Sequence, residues 1–119
     1  MFLKLNHQKL DIYGVSKLFV LERYRLTKRL PAEEKFGMTT QIRRAALSVH
    51  LNIAEGSSRK SEAERKRYYE IARGSVIEID AAMDIAVNLA YLDGIKTESL
   101  GESMIRCFKI LTGLIDSKK

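Results

Sequence analysis

Apolar residues return every third or fourth position in four stretches of this chain, and no stretch alternates in the way a strand requires. The first stretch predicts a helix from about Lys9 to Arg29, with Ile12, Val15, Leu18, Phe19, Val20, Leu21 and Leu26 on more than one of its sides. Pro31 ends it, because proline cannot continue a helix interior and restricts the residue before it. The second predicted helix runs from about Met38 to Glu55 after a short turn through Ala32–Phe36, with Gly56 where a helix stop belongs. The third starts at a capping box, Ser61 with Glu64, and its pattern reaches Leu92, where Asp93-Gly94 closes it. That is about 32 residues, or roughly 48 Å at 1.5 Å per residue. The fourth starts near Thr97 or Ser99 and runs to about Ile115, with Leu100, Met104, Cys107, Ile110, Leu111 and Leu114 on its buried face. Short connections between long helices predict one all-α domain over residues 1–119, an up-down-up-down antiparallel four-helix bundle. Gly74, inside the third helix, costs about 1 kcal/mol relative to Ala, and close approach of a neighbouring helix is the expected return.

Two features exceed what a lone bundle needs. The third helix carries two apolar lines: Ala72, Val76, Ile79, Met83, Ala86 and Ala90 form one, and Ala82, Ile85, Leu89 and Leu92 extend the other. In the first helix, Leu18 to Leu21 point in four directions. Such surplus predicts self-association or a partner, against the plainer reading of wide core faces with a few exposed aliphatics. The second feature is a polar line on the second helix. Gln41, Arg44, Ser48, Asn52 and Glu55 fall on one side, with Arg59 continuing it, directly beside the apolar line of Ile42, Ala45, Ala46, Val49 and Ile53. This ordered mixture of amide, guanidinium, hydroxyl and carboxylate either holds an assembly together or lines a site.

Charge separates along the chain. Residues 1–73 carry a balance of +8 and residues 74–119 one of −2, within a net charge of +6. The basic half suits an anionic surface such as nucleic acid. Arg23, Arg25, Lys28 and Arg29 lie at the end of the first helix, and Arg43 joins them from the start of the second. Arg59, Lys60, Arg65, Lys66 and Arg67 gather at the opposite end, beside Tyr68 and Tyr69. Arginine grips phosphate bidentately and tyrosine stacks on unpaired bases. Glu62, Glu64 and Glu70 interrupt the second cluster, so solvated helix ends explain it nearly as well. No signal peptide or membrane span is read from the sequence, and Cys107 is the single cysteine; a reduced, cytoplasmic location is expected.

Catalytic chemistry is thinly represented. There are two histidines, His7 and His50, without a zinc- or di-iron-type spacing, and no strand carries a phosphate-cradling glycine loop. Cys107 lies on an apolar line and reads as a small core residue. Glu78, Asp80 and Asp84 read as a solvated or salt-bridged face rather than a metal cluster. Ser48 has Arg44 and Glu55 near it but no base on its line, which argues against a nucleophile. Arg44 is expected to pair with Glu55, with Glu78 or with a neighbouring subunit, and Asn52 and Gln41 to satisfy backbone or amide groups. No metal, cofactor or small-molecule substrate is expected.

The segments Leu30-Pro31, Glu34, Phe36-Gly37-Met38, Gln41, Arg43-Arg44-Ala45, Ser48-Val49, Asn52-Ile53-Ala54-Glu55-Gly56 and Arg59, followed by Ile71-Ala72-Arg73-Gly74-Ser75 and Glu78, resemble the bacterial 23S rRNA intervening-sequence proteins, four-helix proteins often labelled ribosomal. The chain is also similar to the accessory proteins of diversity-generating retroelements, which form basic barrels that bind nucleic acid and a reverse transcriptase. Val49, Val76 and His50 are mild departures, standing where Ile, Leu and Pro are common. The resemblance covers nearly the whole chain. It implies a ring-like homo-oligomer, a pentamer, with no catalytic residues; Gln41, Arg44, Ser48, Asn52, Glu55, Arg73 and Glu78 are expected to form a structural polar network. The functional expectation is a non-enzymatic oligomer that binds rRNA or other structured nucleic acid through basic residues repeated around a ring. The alternative is a scaffold for a dedicated protein partner.

Overall fold

The computed structural model describes residues 2–5, 8 and 10–116, with Thr97, Ser99 and Leu100 described by backbone only. Four helices, α1 (Asp11–Thr27), α2 (Met38–Ser57), α3 (Glu62–Asn88) and α4 (Thr97–Asp116), follow one another with a 3₁₀ turn at Ala32–Glu34 and no strand among the described residues. The expected start at Lys9 and the Leu100 side chain lie outside the described residues, as does His7. Each helix packs on two neighbours: α1 on α2 and α4, α3 on α2 and α4. That closed circuit is the antiparallel bundle the short connections predict.

The core follows the apolar lines. Ala45, Ala46, Val49 and Ile53 of α2 meet Ala72, Val76 and Ile79 of α3, with Phe19 of α1 and Cys107 and Leu111 of α4 closing the layer. A second cluster, Leu26, Leu30, Ile42, Ala86 and Leu92, fills the end where the α1–α2 connection meets the segment after α3. Glu34 ties that end together. Its carboxylate accepts from the Met38 amide at the start of α2 (3.1 Å) and from the Tyr91 hydroxyl (2.9 Å). The first contact places a negative charge on an unpaired helix N-terminus, where it is favoured.

Helix ends account for most departures from the sequence reading. At α3, the Ser61 hydroxyl accepts from the Glu64 amide at 3.3 Å, as the capping box predicts. The other end does not reach Leu92. Ala90 adopts φ 63°, the Tyr91 amide donates to the Ala86 carbonyl (2.9 Å), and the Ala90 amide donates to Val87 (3.0 Å). This six-to-one and five-to-two pair is a Schellman cap with alanine in the position that favours glycine. Gly94 takes its own positive φ later, in the turn. Gly56 is likewise no helix stop: α2 continues through it to Ser57. A Cβ there would lie 2.7 Å from Tyr68 Cβ and 3.3 Å from Tyr69 Cε1, so its value is the close approach of α3. Gly74 has no such reason within the fold, since nothing lies within 4 Å of a Cβ built on it.

These two positions make opposite predictions. Ala90→Gly relieves a left-handed alanine and should raise stability by about 1 kcal/mol. Gly56→Ala should lower it by about 1–3 kcal/mol, because the corner must open to admit a methyl group. Chemical denaturation of the two variants checks both signs.

Candidate nucleic-acid interface and polar stripe

The α2 stripe is held by helix geometry on the α3 side of the bundle, and it divides into separate groups. At its start, Arg44 donates to Glu78 of α3 and, through Nε, to Gln41 Oε1 at 3.1 Å. Both charged partners are about half exposed, so Arg44 is a surface strap rather than a buried charge. In the middle, the Ser75 hydroxyl of α3 donates to Ser48 Oγ at 3.0 Å, and Asn52 Nδ2 donates to the Ser48 carbonyl and hydroxyl at 2.8 and 3.0 Å. At the end, Glu55 accepts from Arg59, whose guanidinium also donates to the Tyr68 hydroxyl at 3.2 Å and lies over the Tyr68 ring. Tyr68 and Glu55 together hold the Arg59 guanidinium above its usual pKa. Glu55 therefore serves Arg59, not Arg44. Arg73 stands apart from all three groups, donating to Thr112 Oγ1 of α4 at 3.2 Å beside the Phe108 ring.

The basic residues also sort themselves by burial. Arg23 is a correction to the surface set: it is fully buried, with its guanidinium 4.6 Å from the Phe19 ring centroid. Burial pushes its pKa below the ordinary arginine value, while Glu22 and Cys107 act in the opposite direction. Arg25, Lys28 and Arg29 are exposed. Arg43 is half-buried between them and the core, its Nε donating to Thr27 Oγ1 at 2.7 Å and its guanidinium over the Tyr24 ring. At the other end, Lys66 pairs with Glu62 (3.2 Å), and Arg65 donates to the Arg59 and Lys60 carbonyls at 3.0 and 2.7 Å, tying the α2–α3 connection. Lys60 and Arg67 are exposed there. Tyr69 is buried and shares a hydrogen bond with Ser57 (2.8 Å), which removes it as a stacking platform.

One contact is not legible in the sequence. Ser16 Oγ of α1 lies 2.7 Å from His50 Nδ1 of α2 and 3.1 Å from the Tyr13 carbonyl, with the Tyr13 and His50 rings tilted against each other at 4.6 Å. The pair resembles a nucleophile and its base in composition only. Ser16 is completely buried, so it anchors α1 to α2. A residue 34 positions away on another helix leaves no local signal. Cys107 is in the core, as its apolar line indicates, and burial pushes its thiol up to about 12, against the opposing pull of Arg23 and Arg106.

Three outcomes check these placements. Arg44→Ala should cost no more than about 1 kcal/mol, as for exposed ion pairs. Arg23→Ala should cost about 2–4 kcal/mol by emptying a packed site. At pH 8 only about one thiol in ten thousand would be ionised at such a pKa, so Cys107 should react with a disulfide reagent only as fast as the bundle opens.

Comparison with known proteins fits this geometry. The solved structures include a crystal structure at 1.70 Å resolution of a protein with unknown function from the S23 ribosomal protein family of Bacteroides thetaiotaomicron. It superposes with a TM-score of 0.80 at 25% identity, covering 89% of this chain and 96% of that one. No curated protein matches the chain. Nothing in these likenesses indicates an enzymatic family. The family model described as 23S rRNA-intervening sequence protein matches residues 8–113, and the chain belongs to that family.

Proposed function

We propose that the protein is a non-enzymatic, self-associating bundle that binds RNA through its exposed basic ends. The observation that carries this reading is the trio Arg25, Lys28 and Arg29: all are exposed at one end, and none forms an ion pair among the described residues. Arg43 stands behind them, held by Thr27 and Tyr24. Lys60 and Arg67 repeat the pattern at the far end, about 30 Å away along the 20 residues of α2. The family's name supplies the choice of RNA, since it refers to sequences within 23S rRNA.

Self-association supports the reading in two ways. Leu18, Leu21, Ile71, Ile77, Ile85 and Ile105 are each between 45% and 56% exposed, more aliphatic surface than a lone small bundle needs. A ring of copies, five in the reading taken from the resemblance, also multiplies a modest basic patch into an avid one. Cytoplasmic location accords with an rRNA target, and no helix among the described residues is long and apolar enough to cross a membrane.

A scaffold reading draws on the α3–α4 groove, a cavity of about 310 Å³ walled by Ile77, Ile105 and Phe108. Phosphate contacts and protein contacts respond differently to salt. Fluorescence anisotropy with structured 23S rRNA fragments and with duplex DNA should show binding that falls steeply between two salt concentrations. Replacing Arg25, Lys28 and Arg29 by Ala should flatten the dependence on log salt by about 0.9 for each phosphate no longer neutralised. No binding to either nucleic acid at low salt overturns the proposal, and a stoichiometric protein partner that survives nuclease treatment would favour the scaffold.

A further inference from the structure

The connection between α1 and α2 holds out an aromatic ring that the fold does not use. Phe36 is 88% exposed and belongs to neither core cluster. Among the described residues, no large apolar side chain of the four helices is as exposed. Its backbone, by contrast, is tied on both sides. The Lys35 amide donates to the Ala32 carbonyl (3.1 Å) and the Gly37 amide to the Glu34 carbonyl (3.0 Å). The Thr40 hydroxyl donates to the Lys35 carbonyl at 2.6 Å, and the Glu34 carboxylate holds the Met38 amide. A ring fixed at its base and bare at its tip loses little freedom when a partner stacks on it.

The surroundings indicate the partner's chemistry. The Lys35 ammonium lies 5.4 Å from the Phe36 ring centroid. Along residues 25–37 the exposed cations Arg25, Lys28, Arg29 and Lys35 outnumber the exposed carboxylate, Glu33. Phe36 shares an end of the bundle with these cations. Arg43 of α2 reaches Thr27 and Tyr24 of α1, which sets the last turn of α1 near the second turn of α2. From Arg43 back to Met38 is roughly 8 Å at 1.5 Å per residue, and Phe36 lies just beyond. An aliphatic partner gains nothing from the cations, and a free phosphate gains nothing from the ring. A nucleotide whose base is unpaired uses both, its phosphate on the cations and its base on the ring. Bases within a duplex are stacked on one another and present no free face.

We infer that Phe36 is a stacking platform for an unpaired base, so the RNA held at this end carries a loop, bulge or single-stranded junction rather than continuous duplex. The inference rests on the RNA reading above and narrows it. The probes are an RNA hairpin with an adenine loop containing 2-aminopurine and a blunt RNA duplex with the same number of phosphates. Both are titrated at low and moderate salt into the full chain and into Phe36→Ala, Phe36→Leu and Phe36→Trp.

The hairpin should bind about tenfold more tightly than the duplex, as stacking of one base supplies. Phe36→Ala and Phe36→Leu should erase that difference while leaving duplex affinity and the salt slope unchanged. Phe36→Trp should keep it. The 2-aminopurine fluorescence should change on binding to the native chain and to Phe36→Trp, and not to Phe36→Ala. Equal affinity for the two RNAs, or a hairpin preference that survives Phe36→Ala, overturns the role of Phe36 and leaves the RNA reading standing. No binding of either RNA at low salt overturns both. Loss of hairpin binding together with dissociation of the oligomer in sedimentation assigns the ring to a contact between copies and overturns the platform as well.

Discussion

Everything in this bundle rests on how closely α2 approaches α3. Ala45, Ala46 and Ala72 are completely buried at the contact, and Gly56 removes the last Cβ where the two helices converge on Tyr68 and Tyr69. Small residues bring the helix axes together, and larger ones, Val49, Ile53, Val76 and Ile79, fill the space toward α1 and α4. The same closeness places the flanking polar side chains within reach of each other. Ser48 meets Ser75 and Arg44 meets Glu78 because the backbones behind them are near. The polar stripe is therefore a consequence of the tight seam before it is anything else. Its bonds are mostly half-exposed and add little stability; they fix the rotation of one helix against the other.

That dependence explains which parts of the molecule are legible in the sequence. Periodicity reveals all four helices and the faces that bury, since it records the core directly. Ser61 marks the start of α3, because a cap is a local interaction between residues three apart. Asp93-Gly94 is the stronger local turn signal and points to an end at Leu92, yet α3 ends four residues earlier, at Asn88. What ends the helix is Ala90 in a left-handed conformation, held by the packing of Tyr91 and Leu92 on the second core cluster. Tertiary contact overrides local preference there. Gly56 looks like a stop for the same reason, since glycine after an apolar run signals an end unless a neighbouring helix needs the space.

Arg23 shows the limit of reading sites from charge. Four cations near one helix end form a cluster in the sequence, yet Arg23 lies on the inward side with Phe19, four residues before it, beneath its guanidinium. Helical phase separates it from Arg25 and Lys28. A phase argument finds this, because Arg23 shares the line of Ile12, Phe19 and Leu26, all buried.

The surface that remains has a simple polarity. The basic groups Arg25, Lys28, Arg29, Lys60 and Arg67 lie at the two ends of the bundle, whereas the surplus aliphatics, Leu18, Ile71, Ile77 and Ile105 among them, lie along its sides with Lys17, Arg106 and Lys109. Burying aliphatics releases about 25 cal/mol per Å², whereas bringing like-charged ends together costs free energy. Side-by-side association satisfies both conditions and end-to-end stacking satisfies neither. Copies joined along their sides would each keep both basic ends turned outward, and Gly74, exposed between Ile71 and Ile77 on that flank, would then have the close neighbour that the isolated bundle does not give it.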